Sequence, residues 1–200
     1  SKIYVNERKI LWKTFEIKEK TVDRKENIVL IGMPGVGKST IGVILAKQLG
    51  YQFVDADLVI QQEESRLLRE IIADEGIEGF LAVENRVNAS IEAERSVIST
   101  GGSVVYGKEA MEHLGEIGTI VYLKLPYDLL EKRLSNLQDR GVVLRDGQTL
   151  YDLYEERTPL YEKYADLVVD ETGLDIEGTR EVLEQMLRNM MQQDYSAVAP

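Results

Sequence analysis

Short apolar runs alternate with amphipathic stretches along most of this chain. Asn27 to Gly32 reads as a buried strand and Tyr51 to Val54 as a second. Val97 to Ser99, Thr119 to Leu123 and Leu167 to Val169 are three further β-branched runs of strand length. Between them, Ser39 to Leu49 has helical spacing and is closed by Gly50. The same spacing recurs in Asp57 to Ala73, Phe80 to Ala93, Lys108 to Leu114, Tyr127 to Leu137 and Ile176 to Met191. Strands alternating with helices predict an α/β fold, a parallel sheet covered on both faces and so three layers deep. Residues 1–26 form a charge-rich N-terminal extension in which Ile10, Trp12, Phe15 and Ile17 suit a packing or self-association element. The compact domain is expected over 27–191, followed by a frayed tail over 192–200, with no internal repeat.

Composition narrows the function more than the fold. The 200 residues contain no cysteine and one histidine, His113. Disulfides, thiolate metal sites and a cysteine nucleophile are therefore excluded, and a histidine-dependent triad is implausible. A formal charge of −11 argues against nucleic acid as a partner, because that footprint is a basic face. No apolar run reaches membrane-spanning length and no secretory signal is visible. The expectation is a cytoplasmic enzyme, a monomer or weak homo-oligomer, acting on a small molecule.

The strongest chemical signal follows the first strand. Gly32-Met33-Pro34-Gly35-Val36-Gly37-Lys38-Ser39-Thr40 matches the phosphate-binding pattern G-x-x-x-x-G-K-[ST]. Gly32, Gly35 and Gly37 free successive backbone N–H groups, that of Val36 included, to turn inward around phosphate oxygens. The positive end of the following helix points at the same oxygens. Lys38 would reach the β- and γ-phosphates, and the Ser39 hydroxyl would hold Mg²⁺. A hydrophobic strand enters this loop and an amphipathic helix leaves it, so ATP and Mg²⁺ are the expected cofactors. No Asn-Lys-x-Asp element follows, which argues against a GTPase, and Ser39-Thr40 replaces the Gly-Thr usual after an adenylate kinase loop lysine.

Asp55 and Asp57 end the second strand, where open parallel sheets bind ligands. In an extended segment both carboxylates point to one side, one towards Mg²⁺ and one towards an acceptor hydroxyl. Further along come Ser99-Thr100-Gly101-Gly102 and the stretch Glu156-Arg157-Thr158-Pro159-Leu160-Tyr161-Glu162-Lys163-Tyr164-Ala165-Asp166. Together these ordered motifs resemble the shikimate kinase family over almost all of residues 28–187. The resemblance implies a nucleoside-monophosphate-kinase-like fold with strand order 2-3-1-4-5. It implies that Asp55 holds Mg²⁺, that Asp57 contacts the acceptor hydroxyl as a base, and that Gly101 and Gly102 bring backbone N–H groups against the substrate. It also implies that Arg157 grips the substrate carboxylate, that Arg133 lies against adenine, and that Arg140 closes over the phosphates as the lid arginine.

The departures from the family cluster on the acceptor side. The family's Phe-Arg-x-x-Glu is Phe80-Leu81-Ala82-Val83-Glu84 here, so Leu81 stands where a second carboxylate-binding arginine is expected. Losing one charge-assisted contact costs about 1.5–3 kcal/mol. Arg86 is off that helical face. Ser103 replaces the family's third glycine, and Arg140-Gly141-Val142-Val143 lacks the proline of the family's lid, with Arg145 a second candidate for the lid role. Shikimate leads as acceptor, and a different polyol or hydroxy acid (a gluconate-kinase-like activity) or a non-catalytic nucleotide-binding module are the alternatives. Tyr151, Tyr154, Tyr161 and Tyr164 read as packing, His113 as solvated, and Glu63-Glu64 and Glu155-Glu156 as solvent faces.

Overall fold

The computed structural model describes residues 27–135 and 144–197, with side chains described to 189. Its five strands are β1 (Asn27–Ile31), β2 (Gln52–Asp55), β3 (Ser96–Ser99), β4 (Gly118–Lys124) and β5 (Leu167–Asp170), in one parallel sheet of order 2-3-1-4-5. The order follows hydrophobicity. β1 is buried along its whole length and sits in the centre, whereas the edge strands β2 and β5 are only partly covered. Asn27 ties the amino ends together. Its amide donates to the Ala93 and Ile117 carbonyls at 2.7 and 2.9 Å, and its oxygen accepts from Ser96 N at 2.9 Å.

Helix α1 (Lys38–Leu49) leaves β1 and ends at Gly50, whose φ of 67° closes it as expected. The chain then forms α2 (Ala56–Glu64), α3 (Leu68–Asn88), α4 (Lys108–Ile117), α5 (Tyr127–Ser135), α6 (Leu150–Tyr164) and α7 (Ile176–Ala197). α1 packs with α7 and α3 with α4, so helices cover the sheet in two groups. The predicted helix from Asp57 to Ala73 is two helices, because Ser65 adopts a left-handed conformation and Leu67 opens α3 with a Glu70 capping contact. α3 is itself interrupted at Gly76, where φ is 71°. The fifteen-residue helix α6 carries Tyr151, Tyr154, Tyr161 and Tyr164. α7 continues through Ala197, past Met191 and into the stretch read as a frayed tail.

The apolar interior has two parts. The main core runs through β1, β3, β4 and the helices on them, while Ile60, Ile71, Phe80, Val83 and Val87 form a smaller cluster beneath α2 and α3. That smaller core lets α2 and α3 stand as a separate wall over the carboxyl ends of the strands. Register sets what lies there: Ser99 pairs with Leu30 on one side and Asp55 on the other.

Candidate active site

The phosphate loop bridges β1 and α1. Gly32 (φ 145°), Gly35 (φ 84°) and Gly37 (φ 104°) take backbone conformations closed to other residues. A methyl group on Gly32 would meet the Leu123 carbonyl oxygen at 2.7 Å. Gly37 caps α1 without a side chain, which leaves the first N–H groups of the helix for a ligand. Lys38 is buried, and its ammonium donates to the Gly32 and Met33 carbonyls at 2.8 and 3.0 Å. Burial brings its pKa down to about 8, against the opposing pull of Asp57.

Ser39 and Asp55 meet in the structure. The Ser39 hydroxyl donates to Asp55 Oδ2 at 3.3 Å and lies 3.1 Å from the Ser99 hydroxyl. Asp55 also caps α2, its Oδ1 accepting from the backbone N–H groups of Asp57 (3.1 Å) and Leu58 (3.4 Å). This corrects the extended reading of the two aspartates: the strand ends at Asp55, and Asp57 lies in the first turn of a helix. Proximity survives the change of geometry. Burial raises the Asp57 pKa, the neighbouring Asp55 raises it further, and Lys38 pulls it back. A hydroxyl beside a carboxylate is a hard-oxygen pair that fits Mg²⁺, which keeps waters and takes its remaining ligands from substrate phosphates. Among the described residues no group of three acidic or histidine side chains could hold a metal by itself.

Gly101 and Gly102 lie where a side chain would not fit. A methyl group on Gly101 would overlap Glu84 Oε1 and stand 3.1 Å from Asp57 Oδ1. On Gly102 it would meet Pro34 Cδ at 2.8 Å and Arg157 Nη1 at 3.0 Å. Tyr161 holds this turn, donating its hydroxyl to the Gly102 carbonyl at 2.5 Å while stacking on Tyr122 with ring centroids 5.1 Å apart. Arg157 is 4% exposed and lies over the Tyr106 ring, 5.2 Å from its centroid. Its Nε donates to the Tyr106 hydroxyl at 3.3 Å, and among the described residues it forms no ion pair. A buried guanidinium with no carboxylate in direct ion-pair contact suits one brought by a ligand.

Several neighbours were not singled out from sequence. Glu84 sits inside a quoted motif, yet its burial, 1% exposed beside Asp57 and Gly101, comes from the packing of α3. Tyr106 follows the glycine turn in a short 3₁₀ segment and has no motif of its own. Arg133 donates to the Val36 carbonyl at 3.1 Å and pairs at 3.2 Å with Glu171, which is 1% exposed. Arg133 is thus seated against the phosphate loop. Burial pushes Glu171 up to about 7, against the pull of Arg133. Glu156, read as a solvent face, accepts from Tyr106 (2.6 Å), Arg145 (3.2 Å) and Gln148 (2.9 Å). His113 is half-buried and donates to the Ile91 carbonyl at 2.8 Å, so it is not free in solvent. Arg140 lies outside the described residues.

Comparison with known proteins gives this geometry relatives. The family model described as shikimate kinase matches residues 34–190. The shikimate kinase of Nostoc sp. is 37% identical over 169 residues, covering 83% of this chain and 89% of that one. That of Chlorobium chlorochromatii is 35% identical over 175 residues, covering 82% and 92%. Among solved structures, shikimate kinase from Acinetobacter baumannii in complex with shikimate superposes with a TM-score of 0.72 at 28% identity, covering 90% of this chain and 97% of that one. Likeness of that extent, running from the phosphate loop to the last helix, places this chain in the shikimate kinase family.

Proposed function

We propose that this small-molecule kinase transfers the γ-phosphoryl group of ATP to a ring hydroxyl of shikimate. The observation that carries the reading is Arg157, a buried cation beside Gly102 and Tyr106 with no ion-pair partner among the described residues. It suits the carboxylate of a small anionic acceptor, held across the site from the phosphate loop. Shikimate has both that carboxylate and hydroxyls on one ring, and the Acinetobacter baumannii relative is described in complex with it.

Each side chain has a role in this reading. Backbone N–H groups from Gly35 to Thr40 and the open end of α1 cradle the phosphates, and Lys38 exchanges its carbonyl partners for phosphate oxygens. Ser39 and Asp55 would hold Mg²⁺, which when bound would supply positive charge to the β- and γ-phosphates. Asp57 orients the attacking hydroxyl and accepts its proton, a task favoured by its raised pKa. Gly101 and Gly102 allow the acceptor ring to approach the backbone, Arg157 holds its carboxylate, Arg133 borders the adenine side, and Arg140 would contribute positive charge to the phosphates.

A coupled ADP-release assay with shikimate tests the reading. Wild type should turn over, whereas Asp57→Asn should lose at least ~10²-fold in kcat with ATP affinity nearly unchanged by calorimetry. ATP binding without turnover by wild type would overturn the proposal in favour of a nucleotide-binding module.

A further inference from the structure

The acceptor cleft has a second cation on its wall. Leu81, Ser103, Tyr106 and Arg157 line it, and so does Arg145. We propose that Arg145 supplies the second guanidinium for the acceptor's carboxylate, opposite Arg157, compensating for the arginine that Leu81 replaces. The proposal rests on the shikimate reading above.

Tyr106 joins the two arginines. The Arg145 and Arg157 guanidinium carbons lie 5.8 and 5.2 Å from its ring centroid. A chain of hydrogen bonds also connects them: Arg157 Nε donates to the Tyr106 hydroxyl (3.3 Å), which donates to Glu156 Oε1 (2.6 Å), which accepts from Arg145 Nη1 (3.2 Å). The backbone at Arg145 is fixed just ahead of α6, the helix that carries Arg157. Arg145 N donates to Gln148 Oε1 at 3.2 Å, and Gln148 N donates to the Arg145 carbonyl at 2.9 Å.

The present partners of Arg145 leave it exchangeable. Glu156 and Glu78 hold it at 3.2 and 3.3 Å, but their side chains are 39% and 79% exposed. Ion pairs this wet contribute little, so a substrate carboxylate can take one of their places at small cost. The described contacts of Arg145, with Tyr106, Glu78, Glu156 and Gln148, are all on the acceptor side. Arg86 is not an alternative, because it is engaged by Glu63 and Glu64 away from the cleft.

The test compares shikimate with its methyl ester, which keeps the hydroxyls and loses the charge. Steady-state kinetics would be measured for wild type, Arg145→Gln, Arg145→Lys, and Arg145→Gln combined with Leu81→Arg. Arg145→Gln should raise the KM for shikimate about tenfold, the low end for a charge-assisted contact, with the KM for ATP little changed. The preference for acid over ester in kcat/KM should shrink by the same factor. Arg145→Lys should recover part of it, and Leu81→Arg should restore it in the double variant. An unchanged acid-to-ester preference in Arg145→Gln, or a rise in the KM for ATP alone, overturns the proposal. Failure of wild type to phosphorylate shikimate overturns the functional reading and this proposal with it, so the two failures are distinguishable.

Discussion

Glu84 shows what a single carboxyl group undergoes when a fold encloses it. It is 1% exposed, and its Oε1 has no hydrogen-bond partner. Burial pushes its pKa up to about 7; the Ser103 hydroxyl, Arg157 and Lys38 pull it down, and Asp57 adds to the rise. The sign for stability follows from linkage. Below the ordinary value of 4.5 the carboxyl is protonated whether the chain is folded or not, and burial carries no charge penalty. Between there and about 7 the unfolded chain ionises first, so the folded state loses stability as pH rises, and the loss levels off above 7. Glu84→Gln should therefore stabilise the protein by on the order of 1–3 kcal/mol at pH 8. Urea denaturation should show that gain fading towards pH 4.5, and an equal gain at both pH values would refute the assignment. The motif Phe80 to Glu84 is legible in the sequence, but the charge state of Glu84 is not. Desolvation depends on what α2, α3 and the Gly101 turn jointly exclude.

At the scale of elements, the proposed acceptor site is a contact between the glycine turn after β3 and helix α6. Tyr161 and Arg157 lie on that helix, one holding the Gly102 carbonyl and the other against the Gly102 α-carbon. Gly102→Ala should push the Arg157 guanidinium away, because the added methyl sits 3.0 Å from Nη1 and 2.8 Å from Pro34 Cδ. The expected result is a shikimate KM raised about tenfold or more, a smaller change for ATP, and a stability loss of about 1–3 kcal/mol from overpacking. Kinetics and thermal unfolding check both, and a variant with wild-type KM would show that the turn relaxes instead. The central strands and α1 were readable because burial on both faces and the Gly50 cap leave local marks. The boundary at Asp55 was misread because an aspartate ending a strand is also a good N-cap, and local composition does not separate the two. The division between α2 and α3 depends on a left-handed Ser65 that no residue type announces.

For the whole molecule, a formal charge of −11 is set against the local cations Lys38, Arg133, Arg145 and Arg157, proposed to receive two anionic substrates. At about 10 mM ionic strength the screening length is ~30 Å and the net charge repels incoming nucleotide; at about 150 mM it is ~8 Å and the local cations dominate. The value of kcat/KM for MgATP should thus rise as salt increases over that range, and a steady fall would mean that the local field controls association throughout. The sequence by itself determined the class of fold and the place of the phosphate loop. Strand burial is written in apolar runs, and the phosphate loop is built from consecutive residues whose own backbone is the ligand. Only the tertiary structure decided the burial, charge and partners of the residues on the acceptor side. Asp57, Glu84, Gly101, Tyr106, Arg145 and Arg157 come from six separated positions, and their charges and partners exist only once packing has brought them together and removed the water between them.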